Sequence, residues 1–500
     1  MSLKKTNKKL KIAYFILVLI FTFLLYKQHS GFNIFIISLL SVGYLTFTTQ
    51  TKKNKQWWLS ALLWTGSGLS IFLSHTYLGG LLFFLTGFNF ISVNYNSNYS
   101  FPFTLSHTFF SFTLGIARFV SPKKKEAVVI NNTQNKTENK ILKSVFLYGT
   151  PLIIVLIFLK LYQIANPKFE EYTQFLNLEF IEWPFILLYV VLSFLLYGFY
   201  LYNKYQNSEN WDLNTINSVD FNYSDSFQKS IGTGTEQKMA TLLLVTLNVL
   251  LIAFLIIDAT TLFSMDIDSE LTHSQSVHQG INVLITSILL VILIVGFIYR
   301  GALNFSKNKT IKTLTILWLV LNLVITFFNS LKNFNYINEW GLTHKRIGVF
   351  IYLALCVIGL LFTLYKVLNT KTFVFLIKRV SFSFVSFLVA YSLVNWNSII
   401  ISYNLNTDHF EESRIDLDYN YSLGYSTYPE LVDYFKKHPE SDTDLYKKLD
   451  YEINYIKRNK VSTWKNFPSL KWNDYKAQQR LENYVPLINN DYNGRNTWYD

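Results

Sequence analysis

Four ionisable side chains at the ends of apolar segments are the first candidates for chemistry in this sequence: Asp258, His278, Glu339 and Arg346. Groups of these types that lie within hydrogen-bonding reach of one substrate can exchange protons with it. Ionisable groups in or beside a membrane are costly to bury, so they are the default functional candidates there. We predict that the four gather in one outer-leaflet region. The alternative is that each is an interfacial or packing residue.

Metal and serine-nucleophile motifs of the required spacing are missing from the sequence. His273 and His278 are five residues apart, whereas two ligands on one helix face are four apart. The run 266–270 lacks the length and the glycine of a calcium loop. The run 66–68 (Gly-Ser-Gly) is similar to the motif of an intramembrane serine protease, but Thr65 replaces the expected first glycine. We therefore predict no metal and no cofactor.

Apolar helices must position the four candidates. Half of the 500 residues are hydrophobic and 15% are charged, whereas soluble domains carry about 25% charged residues. Apolar runs of membrane-spanning length recur from residue 11 to about residue 401, which one polytopic membrane domain explains and a row of globular cores does not. The single cysteine, Cys356, excludes a disulfide-rich secreted scaffold.

The apolar runs predict eleven membrane spans. The even-numbered connections carry clusters of Lys and Arg, which face the cytoplasm in membrane proteins, and the loop with Lys345 and Arg346 is the one exception. The N-terminus is then cytoplasmic, and an odd number of spans places the C-terminal tail outside. The predicted spans are 11–26, 32–48, 57–74, 78–94, 144–163, 181–202, 239–260, 277–299, 311–330, 346–366 and 379–401.

Residues 102–120 leave this count open. The segment is apolar, yet Ser, Thr and His side chains interrupt it, and a twelfth span would put the basic residues 123–125 on the outer side. We favour an interfacial or re-entrant helix over a span for this segment.

The net charge of +13 is distributed unevenly along the chain. Residues 402–500 hold 16 of the 32 acidic residues but only 13 of the 45 basic ones, so the rest of the chain carries the whole positive excess. A basic excess can indicate nucleic-acid binding, but in a polytopic protein it marks the cytoplasmic loops. Because RNP-like and zinc-knuckle motifs are also missing, we predict no nucleic-acid partner.

The polar tail after residue 401 has its own helical pattern. Apolar residues recur at helical spacing in 429–437 and 443–459, and a third candidate helix covers about 470–486. Tyr and Trp recur between them, and such rings favour boundaries where one side is apolar and the other wet. We predict that the tail docks as helices on the outer face of the membrane domain. The alternative is an appendage that folds alone or stays loose.

The predicted fold class is therefore all-α, a polytopic transmembrane bundle of about eleven spans with a small helical extracytoplasmic C-terminal domain. Residues 1–143 form an N-terminal four-span segment with the interfacial helix and a basic cytoplasmic loop. Residues 144–401 form a seven-span core, and residues 402–500 form the tail. The predicted partners are the lipid bilayer and, through the tail, an envelope protein.

Residues 340–346, Trp-Gly-Leu-Thr-His-Lys-Arg, resemble the aromatic-Gly-Leu-Thr-x-x-Arg signature of a bacterial polytopic membrane family catalogued as a domain of unknown function. Residues 278–282 are similar to its His-Glu-Gly-x-Asn-like pattern, from which Gln279 departs, and 404–419 and 467–477 resemble its tail. The resemblance covers about residues 140–490. It implies one membrane domain with a helical tail in a bacterial inner membrane, and it supplies no reaction.

The signature also has a direct physical interpretation. Gly341 breaks a helix, and Thr343 can cap the next one by accepting a bond from an exposed amide. We expect Arg346 to pair with Glu339 or with a carboxylate of the tail at the outer interface.

Three function classes follow. We favour a non-enzymatic envelope protein with a sensory, scaffolding or transporter-like role, in which the tail is the contact surface. The alternatives are a transporter with a midplane site between helices and a membrane enzyme with a site in its outer vestibule. A polar cavity that reaches the midplane would favour transport, whereas acidic and histidine groups converging at the outer surface would favour an enzyme.

Overall fold

The fold was analysed in a computed structural model, which describes residues 8–49, 53–74, 76–120, 183–200, 233–263, 286–300, 303, 309–406, 415–438, 443–459 and 467–484. These residues form helices and no strand, which confirms the all-α class. Two compact units divide the chain, Met1–Tyr26 with Ser111–Tyr202 and Lys27–Phe110 with Asn203–Asp500. The predicted span 144–163 and the candidate His278 lie outside the described residues.

Eleven described helices precede the tail. They are α1 (Lys8–Leu25), α2 (Phe32–Thr48), α3 (Lys55–Ser74), α4 (Tyr77–Tyr95), α5 (Phe101–Val120), α6 (Trp183–Tyr200), α7 (Thr233–Phe263), α8 (Thr286–Ile298), α9 (Lys309–Trp340), α10 (His344–Leu368) and α11 (Phe373–Ser392).

Five of the described helices, α4, α7, α9, α10 and α11, are long and apolar enough to cross a membrane, and shorter apolar helices accompany them. These helices indicate a membrane protein, and the count of eleven spans stays a prediction. Segment 102–120 is helical, as α5, and its position relative to the membrane also stays a prediction.

In the first unit, α1 and α6 pack against each other. The hydroxyl of Tyr14 donates a 2.6 Å hydrogen bond to the carbonyl oxygen of Ser193, and both residues are buried. Gly198 permits a close approach, because a Cβ there would lie 2.9 Å from the carbonyl oxygen of Ser111.

In the second unit, α3 and α4 are joined by a seam of buried polar side chains. The hydroxyls of Ser67 and Thr86 are 2.9 Å apart, and the amide of Asn89 donates to the hydroxyl of Ser60 at 3.0 Å. Thr104 of α5 in turn donates to the Asn89 oxygen at 3.2 Å. Hydrogen bonds of this kind hold helices together where the hydrophobic effect between them is weak.

Helices α7 to α10 form a second packed group around one hydrophobic cluster. α9 contacts both α7 and α10 along much of its length. The amide of Asn248 on α7 donates to the carbonyl oxygen of Leu314 on α9 at 3.1 Å. Gly359 on α10 admits the side chain of Ile292 on α8, since a Cβ there would lie 3.1 Å from its Cδ1. α11 packs on α10 and on α3 and α4.

α12 (Trp396–Asn404) follows α11 and leads into the tail. The described part of the tail is helical: α13 (Leu417–Ser422), a 3₁₀ turn (Tyr425–Thr427), α14 (Tyr428–Lys437), α15 (Thr443–Asn459) and α16 (Trp472–Leu481). The predicted helices 429–437 and 443–459 are confirmed within one residue, and the third is shorter than predicted. Side chains of α12 to α15 share one hydrophobic cluster with Ile347 of α10, so the tail has an apolar core that reaches the membrane helices.

Candidate functional site

The turn between α9 and α10 depends on a glycine. α9 ends at Trp340, and Gly341 follows with φ +77°, a conformation that costs other residues about 1–2 kcal/mol. The hydroxyl of Thr343 then accepts a hydrogen bond from the backbone amide of Arg346 at 3.3 Å and caps α10. The sequence-based interpretation of Gly341 as a breaker and Thr343 as a cap is therefore correct.

Arg346 is buried in this turn, with 8% of its surface exposed. Its Nη1 donates to the carbonyl oxygens of both Trp340 and Gly341, and its guanidinium carbon lies 4.0 Å from the ring centre of Tyr336. A cation at this place complements the negative C-terminal end of α9. The expected partner was a carboxylate, either Glu339 or one in the tail, and this expectation is wrong. The end of α9 provides carbonyl oxygens close to the guanidinium, and these take its hydrogen bonds.

Asn404, at the end of α12, binds the turn from the side of the tail. Its Oδ1 accepts from the amide of Leu342 at 2.7 Å, and its Nδ2 donates to the Leu342 carbonyl oxygen at 2.9 Å. The same Nδ2 donates to Oδ1 of Asn420 on α13 at 3.0 Å. Asn404 and Asn420 are 6% and 0% exposed. A side-chain amide thus pairs with both main-chain polar groups of one residue, Leu342, and satisfies groups that burial would otherwise leave without partners.

His344 makes two more contacts between the turn and the tail. Its backbone amide donates to the hydroxyl of Tyr419 at 2.7 Å, and its Nε2 lies 2.7 Å from Oδ1 of Asn397. Burial raises the pKa of Tyr419 above its ordinary value, and the hydrogen bond from His344 opposes part of that shift. The tyrosine is therefore a neutral acceptor at physiological pH.

A second attachment joins the tail to the segment before α2. The hydroxyl of Ser469 accepts from the amide of His29 at 3.0 Å and donates to Oε1 of Gln28 at 2.6 Å. Carbonyl oxygens of Pro468 and Leu470 accept from the first amides of α2, which lack partners within their own helix. Gly31 allows this approach, because a Cβ there would lie 2.5 Å from the Leu470 carbonyl oxygen.

Asp258 belongs to a different arrangement. It lies near the C-terminal end of α7 and forms an ion pair with Lys332 of α9, and each side chain is 12% exposed. The span predicted for α9 ends at residue 330 and leaves out Lys332. α9 continues to Trp340, so Lys332 lies within the helix and faces α7.

Three of the four predicted site residues can thus be placed. Asp258 pairs with Lys332, Arg346 binds the end of α9, and Glu339 lies on α9 two helical turns after Lys332, about 10 Å along the axis. All three are associated with the same end of α9. Their convergence in one functional site together with His278 stays a prediction.

A polar group at the other end of these helices was also missed. The side chain of Lys366 is fully buried and donates to the carbonyl oxygen of Tyr299 at 3.0 Å. Arg300 lies 3.2 Å from the carboxylate of Glu236 in the first turn of α7. Among the described residues, no three His, Cys, Asp or Glu side chains come together as a set that could hold a metal ion.

The chain matches a known protein family. A family model described as Domain of unknown function (DUF4153) matches residues 16–434, which include the turn, Asn404 and α13. The match agrees with the resemblance drawn from residues 340–346, although it ends before 467–477, which also resemble that family's tail. No curated protein and no solved structure matches the chain.

Proposed function

Because the chain belongs to the family Domain of unknown function (DUF4153), whose description names no reaction, we propose a function from the chain's own contacts. The protein is a non-enzymatic scaffold of the bacterial cell envelope. Its apolar helices anchor it in the inner membrane, and its C-terminal tail is the surface that contacts an envelope partner.

The observation that carries this proposal is the double attachment of the tail. Asn404 binds the α9–α10 turn through both atoms of its amide, and Ser469 binds Gln28 and His29 more than 400 residues away. A tail held at two places is ordered before a partner arrives, so association costs less conformational entropy. This is the property expected of a contact surface.

The bonding of the α9–α10 turn favours a structural role for the family-like residues. Arg346 donates to two main-chain carbonyl oxygens, and Asn404 pairs with the peptide of Leu342. A group that serves catalysis must instead be able to reach a substrate. The turn therefore supports docking of the tail rather than a reaction.

The orientation that goes with this proposal has the N-terminus in the cytoplasm and the tail outside. Support comes from the Lys and Arg clusters in the even-numbered connections. Reporter fusions at Lys124 and after Asp500 should report opposite sides of the membrane. Two reporters on the same side of the membrane would overturn the proposed orientation.

Photo-crosslinking in the native host tests the scaffold. A diazirine amino acid at Lys447, an exposed position of α15, should form adducts with envelope components other than lipid. The same group at Leu250, an exposed apolar position of α7, is the control and should react only with lipid. Undocking the tail with Asn404→Ala and Ser469→Ala should reduce the adducts at position 447. An absence of non-lipid adducts, or adducts that undocking leaves unchanged, would contradict the proposal.

A transporter is the second candidate, and the Asp258–Lys332 ion pair favours it. Charged side chains between apolar helices are typical of ion and proton pathways. The double variant Asp258→Asn with Lys332→Met removes both charges without leaving one unpaired. If the protein is a scaffold, this double variant should still correct the envelope phenotype of a deletion strain, and the variant with the undocked tail should not. A transporter should show the opposite pattern.

A further inference from the structure

α15 has two faces of different character. One face is aliphatic and at most 3% exposed, and it packs in the tail core against α13 and α14. Its members are Leu445, Leu449, Ile453 and Ile456. The other side of the helix is exposed and carries what we call the ridge: Lys448, Tyr451, Tyr455 and Arg458. Spacings of three and four residues place these four side chains in one row about 15 Å long.

The centre of the ridge is a pair of exposed aromatic rings. Tyr451 and Tyr455 are 66% and 43% exposed, and their rings are nearly parallel, at 18°, with centroids 6.4 Å apart. Two exposed and nearly parallel rings give the centre of the ridge an apolar surface that also carries hydroxyl groups. Exposed aromatic area of this kind is typical of binding surfaces.

The ends of the ridge are positively charged. Lys448 precedes the rings and Arg458 follows them, both at exposed positions. The nearby Lys447 lies 3.2 Å from Asp444, so that pair is already neutral. Asp450 accepts hydrogen bonds from Tyr484 and Asn454, away from the ridge. Glu452 is half-buried, and its charge acts on Tyr421 and Tyr428. The exposed row itself presents a cation, two rings and a second cation.

We propose that the ridge binds an acidic polysaccharide of the cell envelope. The proposal rests on the function proposed above, since it names the partner of the tail surface. The apolar C–H faces of sugar rings stack on flat aromatic rings, and carboxylate or phosphate groups along the polymer pair with Lys448 and Arg458. Arginine suits such anions because its planar donors can bind two oxygens at once.

The packing of α15 favours a polysaccharide over a lipid surface or an acidic peptide. A helix that lies in a bilayer interface buries a broad apolar face there, whereas the aliphatic face of α15 packs in the tail core. An acidic peptide could satisfy the two cations, but its carboxylate side chains have no flat apolar face to cover the two rings. α15 also follows residue 434, where the family match ends.

Binding to the full-length protein in phosphatidylcholine nanodiscs tests the proposal. The probe is an oligosaccharide of galacturonic acid, and the comparisons are a neutral glucose oligosaccharide of equal length, poly-glutamate and phosphatidylglycerol vesicles. We expect calorimetric titration to detect binding of the acidic oligosaccharide that weakens with added salt. Tyr451→Ala with Tyr455→Ala should weaken it at least about tenfold, and replacing both residues by Phe should preserve it.

Matched variants distinguish binding at the ridge from a general effect of positive charge. Lys448→Gln with Arg458→Gln should weaken binding and remove most of its salt dependence. Lys436→Gln with Lys437→Gln removes the same charge from exposed positions of α14 and should change little. Tyr77→Ala removes a fully exposed ring elsewhere and should also change little.

Several outcomes would overturn the proposal that the ridge binds an acidic polysaccharide. The first is that the acidic oligosaccharide does not bind. The second is that the α14 control loses as much affinity as the ridge variant, or that the tyrosine variant loses none. The third is that poly-glutamate or vesicles, instead of the oligosaccharide, bind in a way that depends on the ridge. The crosslinking at position 447 distinguishes this failure from failure of the scaffold. Adducts removed by protease but not by glycosidase would refute the polysaccharide and leave the scaffold standing, whereas a complete absence of non-lipid adducts would refute both.

Discussion

Replacing Gly341 by alanine should loosen the turn that joins the tail to the membrane helices. Alanine at φ +77° costs about 1–2 kcal/mol. The new Cβ would also lie 2.9 Å from Oδ1 of Asn404, an atom held by the amide of Leu342. Moving it would cost at least one buried hydrogen bond, about 1 kcal/mol. The free energy of local opening should therefore fall by about 2–3 kcal/mol.

Amide hydrogen exchange measures this opening directly. Protection of the Leu342 amide should fall by about 30- to 150-fold in the Gly341→Ala variant. Gly424→Ala is the matched control, because Gly424 has φ +92° but no atom within 4 Å of its Cβ position, so it should lose only the backbone cost in its own turn. Gly348→Ala lacks both costs and should show no loss.

A double-mutant cycle with Asn404→Ala isolates the contact with the new methyl group. Removing the Asn404 amide should cost clearly less in the Gly341→Ala background than in the natural chain, since the bond is already disturbed there. Additive effects, or a Gly341→Ala loss no larger than that of Gly424→Ala, would refute the reasoning about this contact.

Three further perturbations have defined outcomes. Lys332→Met removes the cation that pairs with Asp258, so thermal unfolding in detergent should show a loss of about 3–5 kcal/mol. The double variant with Asp258→Asn should recover much of that loss, and equal losses in the single and double variants would contradict a specific pair. Ser469→Ala removes hydrogen bonds to Gln28 and His29 that are worth about 1–3 kcal/mol. Proteolysis of the tail around 467–484 should therefore be faster, and an unchanged cleavage rate would mean that this attachment is dispensable. Burial raises the pKa of Tyr419 above its ordinary 10.0. The contribution of this residue to docking is therefore complete below pH 10 and is lost as the pH rises through the folded-state pKa. Ultraviolet titration should show Tyr419 ionising at a higher pH than free tyrosine, with Tyr419→Phe as the reference.

Helical periodicity made the tail predictable. An amphipathic helix with a regular apolar stripe is specified locally, so 443–459 could be assigned from its own sequence. The boundaries of α9 were harder, because hydropathy alone stops the span at residue 330. The helix extends ten residues further, as Lys332 finds its counter-charge on α7 and Asn333 donates to the carbonyl oxygen of Arg346.

The contacts between distant segments could not be predicted from the sequence. Asn404 and Leu342 are 62 residues apart, and a lone asparagine in a polar stretch carries no signal of its partner. The type of residue at Gly341 was informative because only its backbone conformation mattered. For Arg346 the charge suggested a carboxylate, whereas the structure satisfies it with main-chain oxygens, which every residue possesses and no sequence pattern distinguishes.

The polar seam of α3 and α4 also has a consequence for biogenesis. α3 carries Ser60 and Ser67 on the side that faces α4, where they form hydrogen bonds with Asn89 and Thr86, respectively. The hydroxyls of Ser60 and Ser67 also donate to carbonyl oxygens of α3 itself, as Thr86 does within α4. The Asn89 amide of α4 is therefore the group that would lose its partner on α3 if α4 entered lipid alone. Together the two helices form a hairpin whose polar sides are turned toward each other. The Asn89 amide therefore favours entry of α4 beside α3, and we expect the two helices to enter the bilayer as a pair.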